Sequence, residues 1–267
     1  MSSVTAQPEA PQEPISEEAP NVHSEVKRPT WRPLILQLGG IAAVFAAVVI
    51  WLLTANLSET ELITLAPDAL FGYAIDHLAL TAVSAVITLL IAIPLGILLT
   101  RAPLKKFTGP VLAVANIGQA APAIGLVVLL AIAVGFGFTA AVIALVLYAI
   151  LPVLRNTMVG ITQVDARLVE AGKGMGMSAV AVLFKVELPL AVPVMLAGIR
   201  TALVLLVGSA ALAAFINGGG MGILIVTGVN LSLTNVLIAG SILVALLALL
   251  VDWIGRVVEH VARPKGL

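Results

Sequence analysis

The spacing of charge along the chain limits what it can fold into more than any motif does. Between Arg32 and Glu59 lie 26 residues without a formal charge, and between Asp76 and Arg101 lie 24. Between Lys106 and Arg155 there are 48, and between Arg200 and Asp252 there are 51. A helix needs about 20 apolar residues to cross a hydrocarbon core of roughly 30 Å, so the two shorter gaps hold one span each and the two longer ones two each. The gaps are apolar as well as uncharged: 60% of the chain is hydrophobic and 10% charged, outside the range of soluble domains. Aromatic residues make up only 4%, which argues against a barrel girdled by Trp and Tyr. The expectation is an all-α membrane protein with six transmembrane helices, near 34–54, 77–100, 111–134, 139–154, 191–216 and 236–251.

Orientation follows from Lys and Arg, which hold their flank of a span on the cytoplasmic side. Lys27, Arg28 and Arg32 precede the first span, Arg101, Lys105 and Lys106 follow the second, and Arg155, Arg167, Lys173 and Lys185 follow the fourth. Arg256, Arg263 and Lys265 follow the sixth. The segment after the first span carries Glu59, Glu61, Asp68 and Asp76 and no basic residue, and the connections after the third and fifth spans carry no charge. Both termini of a multi-pass membrane protein are therefore predicted to be cytoplasmic. Residues 1–33 are Pro- and Glu-rich, too polar to offset the entropy of ordering, and are read as a disordered cytoplasmic tail. The span at 34–54 is then an uncleaved anchor, and 77–258 the transmembrane core.

Composition also removes several chemistries. Lys+Arg and Asp+Glu both number 14, so no basic excess suits nucleic acid. The absence of cysteine excludes disulfides, thiolate zinc sites and iron–sulfur clusters. His23, His77 and His260 fall in separate segments on different sides of the membrane, which leaves no metal site. The Gly172-Lys173-Gly174-Met175-Gly176 run lacks the preceding strand and the spacing of a nucleotide fingerprint.

The longest connection, 155–190, is amphipathic. Asp165 is a plausible N-cap, Leu168, Val169 and Ala171 give one apolar turn, and Gly172, Gly174 and Gly176 are read as breaking the chain. A second short helix starts at Ser178, with Val180, Val182, Leu183 and Phe184 as its apolar surface, and Pro189 marks the change into the next span. Two short helices around a glycine turn form a shape suited to docking in a partner's groove.

The spacing Glu170-Ala171-Gly172, three residues, Gly176, nine residues, Val186, Glu187, Leu188-Pro189 resembles the EAA motif of binding-protein-dependent ABC importer permeases. That pattern is EAA, three residues, G, nine residues, I, any residue, LP. Gly172 stands for its second Ala and Val186 for its Ile. The stretches 151–161, 170–202 and 210–222 resemble the osmoprotectant permeases, those for glycine betaine, carnitine, choline and related quaternary amines. The resemblance implies a five-helix core similar to the methionine-importer permease fold, with the first span an addition to it. It also implies partners: cytoplasmic ABC ATPase subunits docked on the 155–190 loop, an extracytoplasmic substrate-binding protein, and a second permease subunit, the same or different. The chain would catalyse nothing itself and bind no cofactor, since it has no G-x-x-x-x-G-K-[ST] phosphate loop. Glu170 is read as a contact to an ATPase subunit, Gly176 as the turn.

The remaining candidates carry two readings each. Asn116, Gln119 and Pro122 form a polar, kinked patch at lipid depth, which either lines a passage or hydrogen-bonds between helices. Arg200 lies in the fifth apolar stretch and is either a gate or interface residue or a side chain snorkelling to the boundary. Asn217 opens a glycine-rich turn, 217–220, that either resembles the family's turn beside the pathway or is only a tight turn of the backbone. Two other functions use the same span count. A permease for another solute, such as an amino acid, is separated by uptake specificity, and an ion-coupled secondary transporter would need intramembrane carboxylates, of which the chain offers no good one, since the long gaps hold no Asp or Glu and Asp252 falls at a span end.

Overall fold

The computed structural model describes residues 31–262. The tail of 1–30, with Lys27, Arg28 and His23, and the last basic residues Arg263 and Lys265 lie outside the described residues. Those described are helical almost throughout, and no strand occurs among them. The helices are α1 (Arg32–Thr54), α2 (Glu59–Thr64), α3 (Pro67–Leu99), α4 (Thr108–Ala120), α5 (Ala123–Val134) and α6 (Phe138–Thr162). They continue as α7 (Ala166–Gly174), α8 (Ala179–Val182), α9 (Leu188–Ala210), α10 (Gly222–Asn230) and α11 (Thr234–Ala262). Five segments are long and apolar enough to cross a bilayer, and the bent pair α4–α5 makes six if it counts as one span.

That pair departs from the sequence expectation of one helix over 111–134. The chain turns by 100° between α4 and α5, because Ala121 and Pro122 adopt extended backbone and a proline disfavours helical geometry in the residue before it. Other spans are longer than predicted. At 33 residues α3 is about 50 Å long at 1.5 Å per residue, so it overshoots the hydrocarbon, and Arg155 lies inside α6 rather than after it. Segment 188–210 is continuous with α8 through a π-helical turn, Leu183–Glu187, so that Ala179–Ile216 forms one 38-residue helical run.

Helix α6 is the centre. Leu145, Ala149, Leu154 and Thr157 on it are wholly buried, and α3, α4, α5 and α9 pack around it. Lipid tails are as apolar as leucine, so close approach through small residues must supply the packing energy. A Cβ on Gly96 of α3 would lie 2.9 Å from Thr157 of α6, and one on Gly118 of α4 would lie 2.8 Å from the Leu147 carbonyl. A Cβ on Gly198 of α9 would lie 2.4 Å from Asn156 Cβ and 2.8 Å from the Pro152 carbonyl. Gly208 of α9 instead faces open space.

Helix α1 is peripheral, with only Leu34 and Val48 buried. It is held to α11 by Gln37, whose amide donates to Asp252 (3.1 Å), and by Trp253, whose ring N–H donates to the Leu34 carbonyl (2.9 Å). Helix α2 begins in a capping box. Ser58 Oγ accepts from the Glu61 N–H (3.3 Å), and the Glu61 carboxylate accepts from the Ser58 N–H (2.9 Å) and hydroxyl (3.1 Å). The Ser58 backbone donor, aided by the Ser58 hydroxyl and Asn235, holds the Glu61 carboxyl below its ordinary pKa.

Two outcomes follow. Gly198→Val is expected to lower thermal stability in detergent by about 1–3 kcal/mol through overpacking at the α6–α9 crossing, whereas Gly39→Val, which meets nothing within 4 Å, leaves the melt unchanged. Because its folded pKa is depressed, the Glu61 contribution is complete above the ordinary glutamate pKa and is lost as pH falls through the folded value. The melting difference between the native chain and Glu61→Gln should therefore shrink on acidification across that window and be constant above it.

Candidate coupling segment and pathway residues

The segment after α6 forms as the local sequence dictates. The Asp165 carboxylate caps α7 by accepting from the Arg167 N–H (2.9 Å), and Ser178 caps α8 by accepting from the Ala181 N–H (3.2 Å). Between them the backbone closes a Schellman motif. The Gly176 N–H donates to the Lys173 carbonyl (2.9 Å) and the Met177 N–H to the Gly172 carbonyl (3.2 Å), with Gly176 at φ +81°, the left-handed position that favours glycine. Gly172 and Gly174 do not break the chain as expected from the sequence; both are helical, within α7. Gly172 is buried, and a methyl there would make ordinary contact with Val182, Met177 and Val186 at 3.4–3.6 Å.

Glu170 and Ala171 are exposed on α7. Val186 closes the underside of Gly172. Leu188 and Pro189 occupy the first turn of α9, directly after the π-helical turn Leu183–Glu187. Seven motif positions thus fall on one hairpin, and its second limb runs without interruption into α9.

Sequence reasoning passed over Glu187, which occupies the variable position of the motif. Its carboxylate is buried and paired in a fork with Arg101, just past the end of α3: Nη1 donates to Oε1 (3.2 Å) and Nη2 to Oε2. The available signal was a charge next to Leu-Pro at the start of an apolar stretch. Arg101 had been accounted for by topology alone. His77 was also missed as a structural group. It is wholly buried, its Nε2 donates to the Val207 carbonyl of α9 (2.9 Å), and its Nδ1 accepts from the Met221 N–H (3.3 Å). Accepting at Nδ1 and donating at Nε2 requires the neutral ring.

The expected pathway residues are not gathered in one place. Asn116 of α4 accepts from Arg155 of α6 (2.9 Å), a link between helices. Gln119 is half-buried and its side chain makes no hydrogen bond among the described residues, and Pro122 is exposed at the start of α5. Asn217 is exposed, in left-handed geometry (φ 60°), at the head of the turn against which His77 packs. Arg200 faces α11. Its side chain pairs with Asp252 (3.7 Å) and Glu259 (3.2 Å) of α11, and its stem lies where a Cβ on Gly255 would come within 2.8 Å. Asp252 lies well inside α11 rather than at its end, and also pairs with Arg256 (2.8 Å). Among the described residues no group of three His, Asp or Glu is arranged to hold a metal.

A bundle of apolar helices, a bent pair and an exposed two-helix hairpin continuous with a span-length helix define a helical membrane protein with an exposed segment between its spans. Residues 92–263 match the family described as "Binding-protein-dependent transport system inner membrane component", and the chain belongs to that family. It is the permease subunit of an ABC importer, and such membership implies an ATPase and a substrate-binding protein as partners. The chain is 41% identical over 192 residues to the glycine betaine/carnitine/choline transport system permease protein OpuCB of Bacillus subtilis, covering 72% of this chain and 88% of that one. It is 40% identical to the choline transport system permease protein OpuBB of the same organism, with the same coverage. With the osmoprotectant import permease protein OsmW of Salmonella typhimurium it shares 39% over 197 residues, 72% of this chain and 91% of that one. The fold is similar to that of a chain of the MetNI methionine ABC transporter, solved in inward-facing conformations, at TM-score 0.66 and 25% identity over 78% of this chain and 100% of that chain.

The hairpin geometry makes opposite demands on its two glycines. Gly176→Ala is expected to destabilise by about 1–2 kcal/mol, the cost of a left-handed residue with a Cβ. Gly172→Ala should stabilise by up to about 1 kcal/mol, since helical Ala is favoured over Gly and the space accepts a methyl. Paired thermal melts in mild detergent read both.

Proposed function

We propose that this chain forms the translocation pathway of an ATP-driven importer of osmoprotectants, small quaternary amines such as glycine betaine, carnitine and choline, in a bacterial cytoplasmic membrane. The observation that carries the reading is the exposed α7–α8 hairpin. It presents Glu170 and Ala171 outward, turns at Gly176, and passes through Val186, Leu188 and Pro189 into α9 without a flexible joint. Displacement of such a hairpin by a closing ATPase dimer moves a span with it, which is the differential contact that alternating access needs.

The substrate class is supported by the relatives, whose names specify glycine betaine, carnitine, choline or osmoprotectants. Recognition of the cation is assigned to the external binding protein, since quaternary amines are held by aromatic cages and aromatics are only 4% of this chain. ATP is bound by the partner subunits, and this chain holds no cofactor. Lys and Arg place the hairpin and both termini in the cytoplasm by the positive-inside rule. Two permease subunits, alike or different, enclose the passage, with Asn116, Gln119, Pro122 and Asn217 facing it in the course of the cycle and Arg200 tying α9 to α11 beside it. Within α11, Asp252 is compensated by Arg200 and Arg256, which does not suit a carboxylate that must load and release a proton or ion.

Purification of the chain from membranes in mild detergent is expected to bring down an ABC ATPase subunit. Gly176→Pro, which removes the N–H that closes the hairpin, should abolish that association, and Glu170→Ala should weaken it about fivefold or more, the scale of an interface residue worth over 1 kcal/mol. Uptake of radiolabelled glycine betaine, carnitine and choline then assigns the solute. Lack of any ATPase with the native chain would overturn the importer reading, and uptake of an amino acid in place of all three would overturn the substrate class.

A further inference from the structure

We infer that Arg101 and Glu187 are positioning residues that carry movement of the coupling hairpin into α3, so that α3 and α9 shift as one body and the motion arrives at the glycine turn 217–220. The inference rests on the permease reading and deepens it, because the motif by itself accounts for docking but not for what the docked hairpin pushes.

Two attachments flank the α3–α9 contact. At the hairpin end, Glu187 stands in the π-helical turn between α8 and α9. A π turn holds one extra residue and is found mostly as a single turn at functional places in a helix; here the extra residue lies in the turn that sets Glu187 toward Arg101. The carboxylate is buried, with the side chain 9% exposed against 34% for Arg101, and the forked pairing fixes distance and direction together. At the other end, 24 residues earlier on α3 and so about 36 Å away at 1.5 Å per residue, His77 bonds to the α9 carbonyl of Val207 and to the N–H of Met221. Gly220 lies against the same ring, where a Cβ would come within 3.0 Å of Nδ1. The glycine turn is thus attached directly to α3, whereas the coupling hairpin is attached to α9, and the ion pair joins the two helices where the hairpin begins.

The pair is not needed merely to hold the helices together. Ile97 and Leu188 already pack beside it on the cluster of Ile161, Ala191 and Met195. Apolar contact is non-directional and tolerates sliding, while a buried fork does not. Loss of the fork should therefore leave the fold and docking intact and let α9 slip against α3.

The test uses the whole complex of permease, ATPase subunits and binding protein in proteoliposomes, with the solute of the three that the native complex imports. The chain contains no cysteine, so Phe215→Cys, exposed just before the glycine turn, serves as a reporter for a membrane-impermeant maleimide. In the otherwise native complex its labelling rate should change severalfold when ATP and vanadate are added. With Glu187→Gln or Arg101→Lys the ATPase subunit should still co-purify and hydrolyse ATP, while the labelling response disappears and solute imported per ATP falls on the order of tenfold, a coupling of ordinary allosteric size. The exchange R101E/E187R should restore both readouts, and Ile97→Ala should lower the melting temperature without changing solute per ATP. Glu187→Gln complexes that keep the labelling response and the native transport ratio would overturn the inference. An exchange variant that melts like the native chain yet stays uncoupled would overturn it as well. Absence of the ATPase from the native preparation is a distinct failure, since it removes the importer reading on which the inference stands.

Discussion

Close approach of helix backbones at small residues is the constraint on which the rest of this structure depends. In a bilayer, burying apolar side chains against one another gains little over burying them against lipid, so α3, α4 and α9 hold to α6 through dispersion between surfaces in contact. Gly96, Gly118 and Gly198 lie where those surfaces meet, each with a neighbouring backbone or Cβ where its own Cβ would be. The polar groups of the bundle depend on this closeness. His77 reaches the Val207 carbonyl and Arg200 reaches Asp252 and Glu259 because α9 stands near enough to α3 and α11.

Those polar links differ from the apolar contacts in kind. Removing one partner of a buried ion pair leaves an uncompensated charge, so Arg101–Glu187 and the Arg200 cluster define register as well as proximity. Their positions are informative. One joins α3 to the start of α9, the other joins the middle of α9 to α11 and, through Gln37, to α1. Helix α9, which grows directly out of the coupling hairpin, is therefore attached on two sides by directional contacts. A helix held in this way transmits displacement to its neighbours instead of sliding past them, which is the mechanical property a subunit powered from outside its own chain requires.

Legibility in the sequence followed the range of the interactions concerned. Asp165 and Ser178 as caps and Gly176 as the turn involve atoms within a few residues, and all three stand as read. Glu187 was passed over because its partner is 86 residues away, and Arg200 kept two readings because its partners lie 52 and 59 positions further on, in α11. Gly172 and Gly174 were misread for the opposite reason. Glycine lowers helix propensity by about 1 kcal/mol, but packing under Val182 and Val186 outweighs that local preference at Gly172, and the helix persists to Gly174.

The sequence by itself determined that the chain crosses a membrane, roughly where it does so, that a hairpin with EAA spacing interrupts the spans, and thereby the family. These are properties of composition and local periodicity, and no fold of this chain could hide stretches of 48 and 51 uncharged residues anywhere but in lipid or protein. Tertiary structure alone decided that the third span bends by 100°, that His77 bonds to the Val207 carbonyl and the Met221 N–H, and that Arg101 meets Glu187. Each of those depends on which helix faces which, and at what register. That arrangement is set by the summed fit of small residues along whole helix faces, a quantity that no single segment of sequence contains.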